Sequence, residues 1–173
     1  MDDVHDPAHR VFVSYIDKSR EYYLAHGYGN PYRWAHHEDA PFAAPAKPLA
    51  ASRAALITTA SLIEGGHAGP DADPDTLPAG EAYAAPIDPP PARLYTQHRS
   101  WDKDATHTDD LDSFFPVHRL QEYAADGRIG SLASRFYGVP TDYSQRRTIE
   151  QDAPRVLEWC REDGVDVAVL VPL

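Results

Sequence analysis

The final stretch, Asp163 to Leu173, constrains the fold more than any other. After Gly164 it runs through Val165, Val167, Val169, Leu170 and Val171 with Asp166 as the one polar interruption. That is the pattern of a central parallel strand covered on both faces, not of a strand with one wet face. Upstream, Ala54 to Ile63 (AALITTASLI) is a second β-branched, apolar run, bounded by Arg53 and by Gly65 and Gly66. With helical patterns between them, the two runs predict neighbouring strands in a small open, mainly parallel α/β sheet with flanking helices. Ligands of such sheets bind beyond the carboxyl ends of the strands. Leu173 and the turn from Ser61 to Gly66 are expected to share that edge.

The helices read from apolar spacing and from their stops. Val11 to His26 places Phe12, Tyr15, Ile16, Tyr22 and Tyr23 near one face and ends at Gly27 and Gly29. Asp112 or Ser113 can cap a helix with Pro116 in its first turn and Val117, Leu120 and Tyr123 on its apolar face, closed by Gly127. Arg128 to Phe136 reads as a small-residue crossover. Thr148 and Gln151 suggest a capping box for a helix running to Asp163, while Pro154 asks for a restart capped by Asp152 or for a kink. Val156, Leu157 and Cys160 form its expected buried face. Cys160, mid-helix among packing residues, reads as a core thiol.

At 173 residues the chain suits one domain, residues 1–173, carrying a mobile loop over 65–93, where seven of its sixteen prolines fall. Tyr83 is placed to pin the middle of that loop. The net charge of -11, from 27 acidic and 16 basic residues, leaves no basic stripe for phosphates, so neither nucleic acid nor an anionic membrane is an expected partner. No apolar run reaches 18 residues and the start, Met1-Asp2-Asp3, is acidic, so a cytoplasmic protein is expected. The lone cysteine excludes an internal disulfide and a Cys-rich zinc site.

Chemistry concentrates between His98 and Asp112 (HRSWDKDATHTDDLD), with two histidines and five aspartates in fifteen residues. His98 and His107 are candidate acids, bases or ligands, with Asp102, Asp104, Asp109 or Asp110 to orient an imidazole or hold a divalent cation. The spacing matches neither an EF-hand loop nor HExxH, so the aspartates also fit a solvated, self-capping loop. A second polar cluster, His36 to Asp39, lies in an irregular Pro-rich segment and suits a hydrogen-bonded loop better than a metal site. Gly65 and Gly66 permit close approach of an anion, or are a plain strand exit.

Several phrases resemble a known family when taken in order: PYRWAHHEDAPF (Pro31 to Phe42), KPLAASRAALITT (Lys47 to Thr59), the His98 segment running into FFPVHRL (Phe114 to Leu120), GRIGSLA (Gly127 to Ala133), and Arg147 to Leu173. They are similar to the selenoprotein B family, the substrate-handling subunits of glycine, sarcosine and betaine reductases and of D-proline reductase. The resemblance implies an α/β scaffold, a small amino-acid or betaine substrate, reductive C–N cleavage by thiol or selenol chemistry, and a partner subunit or homo-oligomer. It implies a selenocysteine or cysteine centre just after the strand that here ends VLVPL. This sequence contains no such centre, so no residue inherits that role and no cofactor is expected in the chain itself. One expectation is therefore that the domain is incomplete, its codon after Leu173 being a UGA read as a stop. The rival is a short form that works without a thiol. A metal-assisted enzyme using His98, His107 and an aspartate, and a non-catalytic binding module, stay open beside the reductase.

Overall fold

The computed structural model describes residues 21, 22, 24–27, 35, 38, 39, 43–62, 80–96, 107–141 and 144–173. Two compact units, residues 1–41 and 42–173, divide the chain. In the first, residues 21, 22, 24 and 25 are helical, the Tyr22 and His26 rings lie 4.3 Å apart, and Gly27 at φ +78° ends the turn. The rest of the helix expected from Val11 lies outside the described residues.

The second unit is built around β1, Arg53–Thr58. A 3-10 turn, Leu49–Ala51, leads into it, and Ser52 Oγ donates to Pro48 O at 3.0 Å to fix the entry. Ala54, Ala55 and Leu56 have almost no exposed surface, so β1 is covered on both faces. It pairs in parallel along its length with β5, Val167–Val171, from Ala54 opposite Val167 to Thr58 opposite Val171. On its other side stand two short parallel strands in line: β3, Ser131–Leu132, beside Arg53 and Ala54, then β4, Arg135–Gly138, beside Ile57 and Thr58. Ala133 N–H still donates to Ala54 O at 2.8 Å between them. The antiparallel β2, Tyr83–Pro86, pairs with β4 and completes the mainly parallel, open sheet.

Three expectations need correction. The valine-rich strand is not central: among the described residues β5 pairs with β1 alone, and its residues alternate between half-buried and exposed, with Leu170 70% exposed. A run of valines satisfies an outer strand with one buried face as well as an inner one, and β1, with its two alanines, takes the middle instead. Within residues 128–136, expected as a crossover, Ser131–Leu132 and the start of Arg135–Gly138 are strands beside β1, and Gly130 has no Cβ to meet the backbone of Ala51 and Ser52. Residues 83–86 are a strand inside the expected loop, held there by Tyr83, which is buried over Gly138. Residues 65–79 lie outside the described residues.

Each face of the sheet has its own apolar cluster. On one, Leu56, Phe136 and Tyr83 pack with Phe115 and Val117 at the entry to α1, Val117–Ala125, and with Val169, Val171 and Leu173. Phe115 meets Phe136 edge-on at 4.9 Å, and full burial of each ring contributes about 2–3 kcal/mol. On the other, Ala55, Tyr137 and Val156 pack with Trp159, Cys160 and Val165 under α3, Ala153–Glu162. Trp159 stacks on Tyr137 at 5.9 Å, whereas Leu157, expected inside, is 49% exposed. Val156 leads the buried stripe, and one residue further is about 100° around the helix.

The chain reaches α3 through a helical turn α2, Gln145–Arg147, and a five-residue π-helical segment, Thr148–Asp152. Ser144, not Thr148, is the cap, its Oγ accepting from Arg147 N–H at 3.3 Å. Pro154 sits in the first turn of α3, where its missing N–H costs least. Among the described residues no helix is long and apolar enough to cross a membrane.

Candidate active site at the carboxyl edge of the sheet

Chain direction decides which end of the sheet can hold chemistry. The parallel strands β1, β4 and β5 finish together at Thr58, Gly138 and Val171. Helix α1 delivers its last residues through Gly127, at φ +70°, to the start of β3, so its first turn lies toward the opposite, carboxyl edge. The same reasoning puts the start of α3 at that edge, since its end at Asp163 leads into β5.

Hydroxyls line this edge. Thr59 Oγ1 accepts from Leu173 N–H at 2.9 Å and donates to Leu173 O at 3.2 Å, tying the exits of β1 and β5 together. Thr58 Oγ1, fully buried, accepts from Ala60 N–H at 3.1 Å, and Thr141 Oγ1 donates to Thr59 O at 3.5 Å. Ser61 and Tyr95 exchange main-chain bonds of 2.7 and 2.8 Å. Tyr83 OH donates to Ala60 O at 2.7 Å, and burial pushes its phenol well above the ordinary tyrosine range, so it acts as a fixed donor.

A polar pair flanks the edge on each face. On the α1 side, Asp112, in the 3-10 turn Leu111–Ser113, accepts from His118 N–H through Oδ1 at 3.0 Å and meets His118 Nδ1 through Oδ2 at 2.6 Å. One carboxylate thus caps the helix and fixes the imidazole. On the α3 side, Arg147 Nε stands 3.7 Å from Oδ1 of Asp152, whose side chain is 4% exposed. Gly80 opens the space beside this guanidinium, a Cβ there lying 3.6 Å from Arg147 Nη1.

The residues singled out from the sequence fare differently. His98, Asp102 and Asp104 lie outside the described residues, as do His36 and His37. His107 is exposed, and its Nδ1 accepts from Asp109 N–H at 3.4 Å, while Asp109 also pairs with Arg93. The contact is local and exposed to solvent. Among the described residues no three His, Cys, Asp or Glu side chains gather as metal ligands. Cys160 packs under α3 at the sheet's middle, and burial, with Asp163 nearby, pushes its thiol up, away from thiolate chemistry. It does not fit the redox centre that the family resemblance implies.

Sequence reading missed His118 and the Arg147–Asp152 pair. The usable signal for the first was the Asp112 cap itself, followed by Pro116 and a histidine at the second helical position. The second pair spans the π-helical segment and has no standard spacing to betray it. No protein-family model, curated protein or solved structure matches the chain.

Proposed function

We propose that this chain is the substrate-handling scaffold of an oxidoreductase resembling the glycine, sarcosine, betaine and D-proline reductases, which cleave a C–N bond reductively. The observation that carries the reading is the hydroxyl tie between Thr59 and Leu173 where β1 and β5 end, with the Asp112–His118 pair at the start of α1 and the Arg147–Asp152 pair ahead of α3. A small zwitterion asks for groups of these kinds: a cation, a carboxylate, and main-chain or hydroxyl donors. Four of the phrases that carry the resemblance coincide with elements of the sheet and its flanking helices, at both of its ends. KPLAASRAALITT is the 3-10 turn with β1, FFPVHRL the entry to α1, GRIGSLA the turn into β3, and Arg147 to Leu173 the π-helical segment, α3 and β5.

In this reading the thiol or selenol is supplied from outside the residues of this chain, whose own groups bind and orient the substrate. His98, with Asp102, Asp104 and His107, belongs to the segment proposed to face it. A partner subunit or a second copy and a cytoplasmic location, where thiols are kept reduced, are parts of the same proposal.

Titrating the chain with glycine, sarcosine, betaine and D-proline tests the reading. Saturable amide shifts at Thr59 and Thr141 with at least one of them are expected, and flat spectra with all of them would sink it. In an assembled reductase, His98→Ala should lower turnover on the order of a hundredfold with little change in unfolding midpoint. Unchanged turnover removes His98 from the site.

A further inference from the structure

The pair formed by Asp112 and His118 does more than a helix cap requires. Capping α1 takes one carboxylate oxygen on one N–H, and Oδ1 provides it at 3.0 Å. The other oxygen is spent on the ring of the same residue, at 2.6 Å. An ionised carboxylate only accepts, so Nδ1 must carry a proton, and the neutral ring is held in the form whose lone pair is on Nε2. Both ends of the clamp are anchored: Leu111 beside Asp112 is buried, and Phe115 and Val117 beside His118 have no exposed surface. The His118 side chain is nonetheless half exposed, and among the described residues nothing pairs with Nε2. A half-exposed pair of this kind adds little stability. What it supplies is a lone pair of fixed direction at the edge where ligands of such sheets bind, with a negative charge behind it.

We propose that His118 Nε2 is the acceptor that recognises the N–H of a small amino-acid ligand, and that this pair separates ammonium-bearing zwitterions from quaternary ones. The inference rests on the proposed function for the class of ligand. A bare carboxylate attracts any cationic nitrogen by charge, including one without hydrogens. A neutral imidazole lone pair backed by Asp112 needs a hydrogen to accept, so sarcosine gains from it and betaine, which has the same carboxymethyl skeleton and no N–H, does not. No bond is made or broken and no proton need leave the ligand.

Two substitutions separate this role from capping. In Asp112→Asn the amide oxygen must still accept from His118 N–H, which turns the amide NH2 toward Nδ1. The ring is then forced to carry its proton on Nε2, as a donor. His118→Gln keeps the main-chain N–H that Asp112 caps while removing the ring. The experiment is nitrogen-15 spectroscopy of the imidazole in the whole chain, followed by titration with sarcosine and with betaine.

The expected results are the Nδ1–H form in the native chain, the Nε2–H form in Asp112→Asn, and a shift of the Nε2 resonance by sarcosine alone. Both variants should weaken sarcosine binding about tenfold, and His118→Gln, which keeps the Asp112 charge, should weaken betaine binding far less than sarcosine binding. A mixed or unaltered tautomer overturns the proposal and leaves the proposed function standing. So do equal responses of Nε2 to the two ligands, or none, when amide shifts at Thr59 and Thr141 report binding. With neither ligand bound at all, the proposed function and this recognition fall together, whatever the tautomer.

Discussion

The two ends of the sheet are built from similar residues and put them to opposite uses. At the amino end Asp163 and Asp166 are each committed several times over. Asp163 receives Arg135 through two bonds of 2.9 Å and the Tyr137 hydroxyl at 2.6 Å, while its main-chain oxygen accepts from Arg53 at 2.6 Å. Asp166 accepts from Arg53 N–H at 2.9 Å and from Lys47, locking β5 to the entry of β1. At the carboxyl end Thr59 and Asp112 are each held by two bonds, and the His118 ring keeps Nε2 without a partner among the described residues. Geometry that satisfies every donor and acceptor stabilises a joint and leaves nothing for a ligand; geometry that stops one bond short leaves a site.

The comparison breaks most readily at Asp163. Asp163→Ala strands Arg135 and the Tyr137 hydroxyl and is expected to cost about 3 kcal/mol in urea unfolding; a loss under about 1 kcal/mol would mean the amino end is no joint. The hydrogen bond from Arg135, then that from Tyr137, hold the Asp163 carboxyl below its ordinary range against the opposing effect of burial. Because its pKa is lower in the folded state than in the unfolded one, its contribution is complete above about pH 4 and disappears as pH falls through the folded value. Asp163→Asn should therefore flatten the acid limb of the stability profile, and an unchanged limb would assign that limb to other carboxylates.

Next in size is Gly138→Ala, the one place where the carboxyl end is packed as tightly as the other. A Cβ there would fall within the Tyr83 ring, whose hydroxyl is tied to Ala60. About 2 kcal/mol of destabilisation is expected, read from the unfolding midpoint together with loss of β2 protection in hydrogen exchange. Asp112→Ala should cost about 1 kcal/mol, the worth of a helix cap. Smallest is His118→Gln, expected within about 0.5 kcal/mol of the native chain. A larger loss would make the ring part of the framework and erase the contrast between the two ends.

Sequence patterns reported the framework better than the site. The parallel pairing of β1 with β5, the glycine that closes α1 and the helix running to Asp163 were all legible, because burial periodicity and stop signals are local properties. The place of β5 in the sheet was not, since Val167 to Val171 reads alike whether one face or two are covered. β3 hid among small residues, and β4 carries strand-forming Phe136 and Tyr137 but is only four residues long and takes its place by pairing with β1 and β2. Asp112 was recognisable as a cap, yet its grip on the His118 ring depends on how a 3-10 turn and Pro116 fold back over six residues. No repeat of two or 3.6 encodes that distance.

The π-helical segment, Thr148–Asp152, carries a consequence for how this chain tolerates change. Arg147 and Asp152 are five positions apart, and an ordinary helix would aim them about 140° away from each other. The widened turn, with its i→i+5 bonding, swings them onto a common side. Their partnership is thus a matter of phase: the extra residue of the widened turn lets positions five apart meet, and loss of one residue from this segment would leave the pair four apart, about 40° around a regular helix and still on one side.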